Sequence, residues 1–315
     1  MHPRGSTPLA PMNQAISFSL VCPLCHGELM AQNGRRCCAA CNRAYQARNG
    51  FPDFVVADRF EDTINESQKL YEEKANEDST LNYWLPLFRK TWKSSQSVPR
   101  LLSLGCGIAS DVDLLTDAGF DCYGIDCGNR DSAWKRRKHP ERLFLANGQH
   151  LPFRDASFDG VFCGCVFPHV GVEGDSRKCR VDGQQIRQQL ALEMCRVLKP
   201  GGRIFVSSPN RYFPFDIFHG RECGGYRPLV NLPGSRFLLS VRDYNRLFSQ
   251  GGCNRAQALP VRGYWGFVRA KNSLKGRLFS LPVRAVFWLV SQKIGKPLRS
   301  SPLNPWLVVT AQKPL

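Results

Sequence analysis

Short runs of apolar residues recur along the chain from residue 100 onward, and segments with helical spacing of apolar positions separate them. Such runs, bounded by turn residues, are typical of strands buried on both faces of a parallel sheet. Residues 240–252 have the pattern of an amphipathic helix that ends in two glycines, ahead of a sixth strand. The alternation predicts an α/β fold with a doubly wound, Rossmann-like sheet. The other predicted strands lie near 100–104, 121–125, 142–146, 159–164, 203–208 and 306–312.

The first of these strands runs into a glycine turn formed by Gly105 and Gly107. Glycines here let backbone N–H groups approach a ligand closely, and the start of the next helix leaves further N–H groups free. The second strand ends in Asp126, where the ribose of a bound nucleoside needs an acceptor. An NAD site has similar features, but its Gly-x-Gly-x-x-Gly pattern would require a glycine at position 110, which is Ser.

Two further segments have the order and spacing seen in class I S-adenosylmethionine (SAM) dependent methyltransferases. They begin with Leu-Pro-Phe at 151–153 and Leu-Lys-Pro-Gly-Gly at 198–202. Over residues 98–210 the chain resembles this family, in particular its type 11 methyltransferase domain. The resemblance implies a seven-stranded sheet, SAM as the cofactor and methyl transfer as the activity. It implies that the cofactor is bound at the strand ends by Ser103, Gly105, Cys106, Gly107, Asp126, Asn147, Gly148 and Cys163.

The chain departs from the family pattern at three positions. Ser103 stands where the family usually has an aspartate near the methionine ammonium group of SAM, and Ala109 stands where a third glycine is usual. Asn147 stands where an acid commonly accepts a hydrogen bond from the adenine amino group. An amide oxygen can accept the same bond without carrying a charge.

Four cysteines near the N-terminus form two Cys-x-x-Cys pairs, Cys22 with Cys25 and Cys38 with Cys41. Each such turn places two thiolates on one side of a knuckle, and two knuckles supply the four sulfurs that tetrahedral Zn²⁺ prefers. Four thiolates leave no open coordination position, so we predict a structural zinc ion. Buried thiols without a metal are the alternative; a redox role would need only one pair.

The segment from Tyr45 to Val55 resembles the end of small zinc ribbons related to Trm112. We therefore expect a disordered tail over 1–17, a zinc ribbon over 18–57, a helical linker or lid over 58–97 and a methyltransferase domain over 98–315. We also expect the ribbon to be independent of the cofactor site, so that Cys25→Ser unfolds the ribbon and leaves SAM binding nearly intact.

Positive charge is concentrated in the C-terminal third of the chain. The net charge is +17, and residues 199–315 contain 19 Lys and Arg against 3 Asp and Glu. An anionic partner is therefore expected: a phosphorylated lipid, a sugar phosphate, a membrane surface or RNA. A general solubility surface is the alternative. The 14 cysteines and the lack of an export signal or a long apolar segment predict a cytoplasmic protein, with peripheral contact to the inner face of a membrane left open.

Two insertions in this third, at 208–238 and 263–303, have the composition of a substrate pocket. Residues 208–220 interleave aromatic and basic side chains, and residues 275–299 combine basic side chains with apolar ones that include Trp288. Together they predict an aromatic, basic pocket for an amphipathic anion. The second insertion also has the composition of an interfacial membrane helix or of a plain core helix.

His169, after the fourth strand, is the first candidate for a general base, and His219 is the second. A structural role is the alternative for both. Three functions stay open: methylation of a small or lipid-linked anionic metabolite at oxygen or carbon, methylation of ribosomal RNA by a zinc-ribbon enzyme, and a non-catalytic SAM-fold protein that acts as an interaction module. The oligomeric state is not predicted.

Overall fold

The structure is a computed structural model that describes residues 19–32, 34–57, 59–60, 66–174, 176–216, 229–232, 234–264 and 274–315. The expected disordered tail over 1–17 lies outside these residues. The first described segment folds as a small antiparallel sheet followed by a two-stranded ladder. The strands are β1 (Leu29–Gln32), β2 (Arg35–Cys38), β3 (Ala44–Tyr45), β4 (Ala47–Arg48) and β5 (Phe51–Pro52).

A seven-stranded mixed sheet forms the centre of the molecule, as the apolar runs predict. Its strands are β6 (Arg100–Leu104), β7 (Asp121–Asp126), β8 (Leu143–Leu145), β9 (Phe158–Gly164), β10 (Leu198–Pro209), β13 (Gln257–Ala258) and β14 (Trp306–Gln312). The spatial order is β13-β14-β10-β9-β6-β7-β8. Neighbours from β10 to β8 are parallel, and β14 is antiparallel to both β10 and β13.

The sheet has helices on both faces because its strands bury side chains on both. Successive side chains of a strand point to opposite faces, and β6 divides accordingly. Leu102 packs in one buried cluster with Phe144 and Val206, whereas Leu101 packs in another with Phe162 and others. The helices between the strands are α3 (Ser110–Asp117), α4 (Asp131–Trp134), α5 (Gly183–Val197) and α6 (Val241–Gln250).

Helix α6 begins at the position that the sequence predicts. The Ser240 side chain accepts a hydrogen bond from the Asp243 backbone N–H, and the Asp243 carboxylate accepts one from the Ser240 N–H. This reciprocal capping satisfies two N–H groups that a helix start otherwise leaves without partners. Tyr244, Leu247 and Phe248 then form the buried face of the helix.

The cysteine-bearing segment packs directly on the sheet. Phe54 and Leu20 belong to the same buried cluster as Phe144 of β8. The Phe54 N–H donates to the Leu145 carbonyl over 2.7 Å, and the Val21 N–H donates to the Pro152 carbonyl over 3.0 Å. This segment therefore shares its hydrophobic core with the central sheet, which differs from the independence expected from sequence.

Two helices precede the sheet, α1 (Glu66–Ser79) and α2 (Leu85–Thr91), joined by one π-helical turn at Thr80–Trp84. Trp84 and Phe88 pack with Phe162 of β9 in the second buried cluster. The aromatic stretch just before the first strand is thus a packing element. Helix α1 contributes polar contacts that are described below.

The C-terminal third adds a hairpin of β11 (Phe215–Asp216) and β12 (Leu229–Val230) after β10, and helix α7 (Leu274–Ser291) before β14. Phe287 and Val290 of α7 pack in the cluster that contains Tyr264 and Trp306. Within the described ranges, no helix has the length and apolar character needed to cross a membrane.

Candidate functional site

The glycine loop after β6 adopts a backbone that requires small residues. Gly105 and Gly107 have φ values of 69° and 54°, in the left-handed region that favours glycine. A Cβ on Gly105 would lie 2.5 Å from a Val166 methyl carbon, whereas a Cβ on Gly107 would point into open space. Ala109 also has a positive φ of 65°, which costs about 1–2 kcal/mol for a residue with a side chain. Ala109, which replaces the usual third glycine, therefore has a strained backbone conformation.

Ser103 contacts an acid from the next helix, Asp111, which is itself buried and off the cavity wall. Ser103 Oγ donates to Asp111 Oδ2 over 2.5 Å, and both residues are buried. Burial raises the pKa of Asp111 to about 6, although hydrogen bonds from Ser103 and the Val112 N–H oppose the shift. Neither Ser103 nor Cys106 lines the cavity at this edge of the sheet, because their side chains lie beneath the loop.

Asp126 at the end of β7 joins two loops. Its carboxylate accepts hydrogen bonds from the Gly107 N–H at 2.9 Å and from the Gly128 N–H at 2.7 Å. Burial raises the pKa of Asp126, and these two amide hydrogen bonds limit the rise. The carboxylate lies on the cavity wall, at the position from which it can accept hydrogen bonds from ribose hydroxyls.

Asn147 faces the same cavity but has a different partner from the one the sequence predicts. Its Oδ1 accepts hydrogen bonds from the backbone N–H groups of Val56 and Ala57, each at 3.0 Å. A carbonyl oxygen has two lone pairs, so this oxygen is already satisfied and is unavailable to an adenine amino group. Asn147 instead ties the segment after β5 to the end of β8. The neighbouring Gly148 packs against Leu190 of α5, which leaves no room for a side chain.

One cavity of about 1120 Å³ opens at the carboxyl ends of the parallel strands, where ligands bind in open α/β sheets. Single-ligand pockets usually measure ~300–1,000 Å³, so the cavity has room for a cofactor and an acceptor together. The residues on its wall include Ala57, Arg59, Phe60, Glu72, Gly105, Gly107, Asp126, Arg130, Asn147, Gly148, His150, Gly164, Cys165, Val166, His169, Arg180, Gln185 and Gln189.

The strand order separates the two ends of this cavity. Strand β6 lies between β7 and β9, so Asp126 and His169 lie on opposite sides of the glycine loop. His169 lies in a short turn after β9, half-buried, with its ring centroid 6.0 Å from that of Phe237. It is therefore on the side away from the proposed ribose position. His219 lies outside the described residues.

The assignment of Cys163 to the cofactor site also requires correction. Cys163 does not line the cavity, because its side chain is buried with Leu102 and Val206 in the core on one face of the sheet. Gly164 and Cys165, one and two positions later, line the cavity instead. The insertions at 208–238 and 263–303 were expected to form the pocket. None of their described residues is on the cavity wall, because they pack beside β10 and β14.

Helix α1, within the segment expected to be a helical linker or lid, forms part of the cavity wall through contacts that the sequence does not predict. Arg130, just after β7, makes a two-point ion pair with Glu72 of α1, at 2.8 Å and 3.1 Å. Both residues line the cavity. Arg137 forms a second ion pair with Glu73 of the same helix. These partners are more than fifty residues apart, and no motif marks them.

The four N-terminal cysteines are close enough to share one ion. All four sulfurs lie within 4.8 Å of one another, with Cys22 to Cys41 at 3.7 Å and Cys25 to Cys38 at 3.4 Å. Four sulfurs around Zn²⁺ at about 2.3 Å would be about 3.8 Å apart, so the residues fit a tetrahedral zinc site. The Tyr45 hydroxyl lies 3.0 Å from Cys22 Sγ. Burial opposes ionisation of Cys22, but hydrogen bonds from Tyr45 and from backbone N–H groups lower its pKa to about 6.

The segment that follows the cysteine site continues into the cavity wall. Asp53 forms a bridge with Leu145 of β8 and an ion pair with Arg59 at 2.5 Å. Phe60 bridges to Gly128, two residues beyond Asp126. Because Ala57, Arg59 and Phe60 line the cavity, the cysteine site is connected to it by a short and well-bonded stretch of chain.

Residues 102–206 match the family described as "Methyltransferase domain". Several curated relatives of this segment are named as probable S-adenosylmethionine-dependent methyltransferases. A "Probable S-adenosylmethionine-dependent methyltransferase" of Mycolicibacterium smegmatis is 31% identical over 131 residues, which cover 39% of this chain and 45% of that protein. The "Demethylmenaquinone methyltransferase" of Beutenbergia cavernae is 31% identical over 126 residues, covering 38% and 46%.

The chain thus spans less than half the length of these curated relatives. Among solved structures, a chain from the Haloferax volcanii complex of the Trm112 methyltransferase activator with a methyltransferase is 13% identical. The match covers 79% of this chain and 94% of that one, with a TM-score of 0.43. The seven-stranded sheet and the strand-end cavity are the features expected of the domain that the family match identifies.

Replacing Asp126 with Ala should weaken SAM binding by tenfold or more, because a charged hydrogen bond worth ~1.5–3 kcal/mol is lost. Isothermal titration calorimetry with SAM measures the change. Asp121→Ala is the matched control, since Asp121 begins the same strand, pairs with Arg100 and Arg142, and lies off the cavity wall. Equal SAM affinity in Asp126→Ala and the wild type would contradict the assignment.

Proposed function

We propose that the chain transfers a methyl group from SAM to an oxygen or carbon atom of a small or lipid-linked anionic metabolite. The observation that supports this most directly is the single cavity with the glycine loop and Asp126 on one side and His169 on the other. SAM supplies an electrophilic methyl group when it is bound. The chain then has to hold the acceptor in line with that methyl group and remove its proton.

His169 is the proposed general base. It lies beyond the glycine loop from Asp126, where an acceptor bound beside the cofactor's methyl group would sit. An imidazole is the side chain most often used to accept a proton near neutral pH. Arg180, Gln185 and Gln189 line the same cavity. Arg180 is paired with Asp182 at 2.9 Å, so the two amides are the groups there that support an acceptor with hydrogen-bonding oxygens.

The class of acceptor rests on charge and on one relative. The C-terminal third of the chain has 19 basic residues against 3 acidic ones. Its described residues lie off the cavity wall, so this charge supports an anionic partner through attraction at the protein surface. The Beutenbergia cavernae relative is named for demethylmenaquinone, and that name supports a metabolite as the acceptor. Ribosomal RNA is the alternative that the same charge would attract.

We further propose that Cys22, Cys25, Cys38 and Cys41 hold one structural Zn²⁺. The fit of the four sulfurs to a tetrahedron supports the ion, and the donor set leaves no position for substrate. A Cβ on Gly27 would lie 2.8 Å from the Ala40 Cβ and 3.0 Å from Cys38 Sγ. The knuckle is therefore closed tightly around the four thiols.

Labelled SAM should identify the acceptor class. The protein is incubated with methyl-labelled SAM together with a cellular lipid and metabolite extract or with total RNA from the same cells. We expect label in the extract and no label in RNA. His169→Ala should slow labelling about 100-fold or more, the usual contribution of a positioned base, with SAM affinity unchanged. His139→Ala is the control, because His139 lies off the cavity wall and pairs with Asp117.

Label in RNA alone would overturn the proposed acceptor class. Bound SAM with no label in any fraction would instead indicate a non-catalytic protein. Normal labelling by His169→Ala would leave methyl transfer intact as the function and would exclude His169 as the base.

Purified protein should contain one zinc ion per chain. Cys25→Ser should lose it, because three thiolates bind the ion much less tightly than four. Cys37→Ser provides a matched control, since Cys37 neighbours the cluster and is not one of its four members. Metal analysis by mass spectrometry under reducing conditions gives the stoichiometry. A value near zero in the wild type, or equal zinc in Cys25→Ser, would argue against the site.

Zinc loss should also weaken SAM binding, contrary to the independence expected from sequence. The stretch from Asp53 to Phe60 connects the cysteines to the cavity wall and is held by Asn147. Loss of one or two of these bonds, at ~1 kcal/mol each, corresponds to about a tenfold rise in Kd for SAM. Calorimetry should show this rise in Cys25→Ser. Asn147→Ala should show the same rise in Kd while keeping its zinc. Cys37→Ser should keep both its zinc and the wild-type Kd for SAM.

A further inference from the structure

Helix α7 presents a broad apolar surface to solvent. Leu278, Leu281, Trp288 and Leu289 are exposed by 58%, 56%, 53% and 42%. Large apolar side chains scattered singly over a surface need no explanation, but several on one helix indicate an interaction site. Ile294, just after the helix, is 85% exposed and extends the apolar surface.

These side chains lie on one face of the helix. At about 100° per residue, Trp288, Leu281, Ala285, Leu278 and Leu289 fall within an arc of about 120°. Pro282 completes the arc and is also exposed. Phe287 and Val290 lie on other sides of the helix and are buried against the protein. The helix is therefore anchored by one face, and its opposite, apolar face is exposed among the residues that the structure describes.

Positive charge surrounds this face, and negative charge is absent. Residues 274–315 contain seven Lys and Arg and no Asp or Glu. Arg284 is exposed at the border of the apolar arc, and Lys293 and Lys296 are exposed just beyond the helix. A second copy of this chain would bring like charges together on such a surface, which disfavours self-association.

The helix lies near the edge of the sheet at which the cavity opens. Arg299 donates a hydrogen bond to the Val290 carbonyl at 2.8 Å. Asn304 in turn donates to the Arg299 carbonyl and accepts from the N–H of Trp306, the first residue of β14. Trp306 pairs with Pro209 at the carboxyl end of β10, and the cavity lies at the carboxyl ends of the neighbouring parallel strands. A surface that docked on α7 would therefore lie along the edge of the sheet that binds ligands.

We propose that the exposed face of α7 docks on an anionic membrane, lying flat at the interface with its apolar side chains among the acyl chains and the surrounding Lys and Arg at the headgroups. A helix of this kind inserts about 5–10 Å below the headgroups, and each nearby basic residue adds about 1 kcal/mol of attraction to anionic lipid. RNA would need basic and stacking groups along an extended groove, whereas this surface is apolar at its centre. The proposal is independent of methyl transfer.

Vesicle flotation of the full-length protein tests the proposal. Vesicles of phosphatidylcholine and phosphatidylglycerol in equal parts are compared with vesicles of phosphatidylcholine alone. We expect flotation with the anionic vesicles and at least about tenfold less with the neutral ones. The double variant Leu281→Glu, Trp288→Glu should reduce partition about tenfold or more, because two anchors become acidic. Lys293→Gln with Lys296→Gln should lose much of the preference for anionic vesicles.

Val98→Glu is the matched control. Val98 is 62% exposed and precedes β6, at the amino ends of the parallel strands and so away from α7. The same change there should leave membrane partition unaltered. Calorimetry with SAM and circular dichroism check that every variant is folded. Trp288→Phe keeps the face apolar and should still float, but it should lose the part of the vesicle-induced blue shift in tryptophan emission that Trp288 contributes.

Absence of wild-type flotation, or equal flotation of the wild type and the double variant, would overturn the proposal. Tight filter binding of total RNA that the double variant abolishes, without vesicle association, would assign the surface to RNA instead. A dimer in light scattering that the double variant converts to a monomer, with no flotation, would assign it to self-association. None of these outcomes bears on whether the domain binds SAM.

Discussion

The arrangement of the cofactor edge depends on one partly buried carboxylate. Asp126 holds the Gly107 N–H of one loop and the Gly128 N–H of another, so the ends of β6 and β7 are fixed relative to each other. Burying a carboxylate is unfavourable unless hydrogen bonds compensate it, and the raised pKa of Asp126 reflects the remaining cost. Ribose hydroxyls would add donors to this group, so the loop geometry and ligand binding depend on the same atoms.

A second constraint connects the cysteine site to this edge. Structural zinc sites of small modules contribute about 10–16 kcal/mol of apparent binding free energy, which is also folding free energy. A zinc ion held by the four cysteines would use part of that energy to order a segment whose backbone is bonded to Asn147 and Leu145. The cysteine cluster therefore supports the cavity through backbone contacts, although it lies outside the cavity wall.

In the C-terminal third, one set of side chains completes the hydrophobic core and another set forms the exposed surface. The buried faces of α6, α7 and β14 complete the core on either side of the sheet, whereas the basic residues and the exposed arc of α7 face outward. The excess of positive charge is thus mainly a property of the surface and not of the described cavity wall. Arg59, Arg130 and Arg180 are the arginines on that wall, and they pair with Asp53, Glu72 and Asp182 respectively.

The sequence by itself determined the sheet, the glycine loop, the acid at the end of β7 and the cysteine pairs. Each of these depends on local periodicity or on short spacing, which a chain expresses before it folds. Only the tertiary structure decided that Asp111 lies against Ser103, that Asn147 holds the segment after the ribbon and that α1 walls the cavity through Glu72. The tertiary structure also decided that Cys163 lies in the core, and that one face of α7 is exposed whereas the other is buried. These outcomes depend on contacts between residues far apart in the sequence, such as Val56 and Asn147, which are 91 positions apart. Such contacts are set by how whole helices and strands pack, which local sequence patterns do not specify.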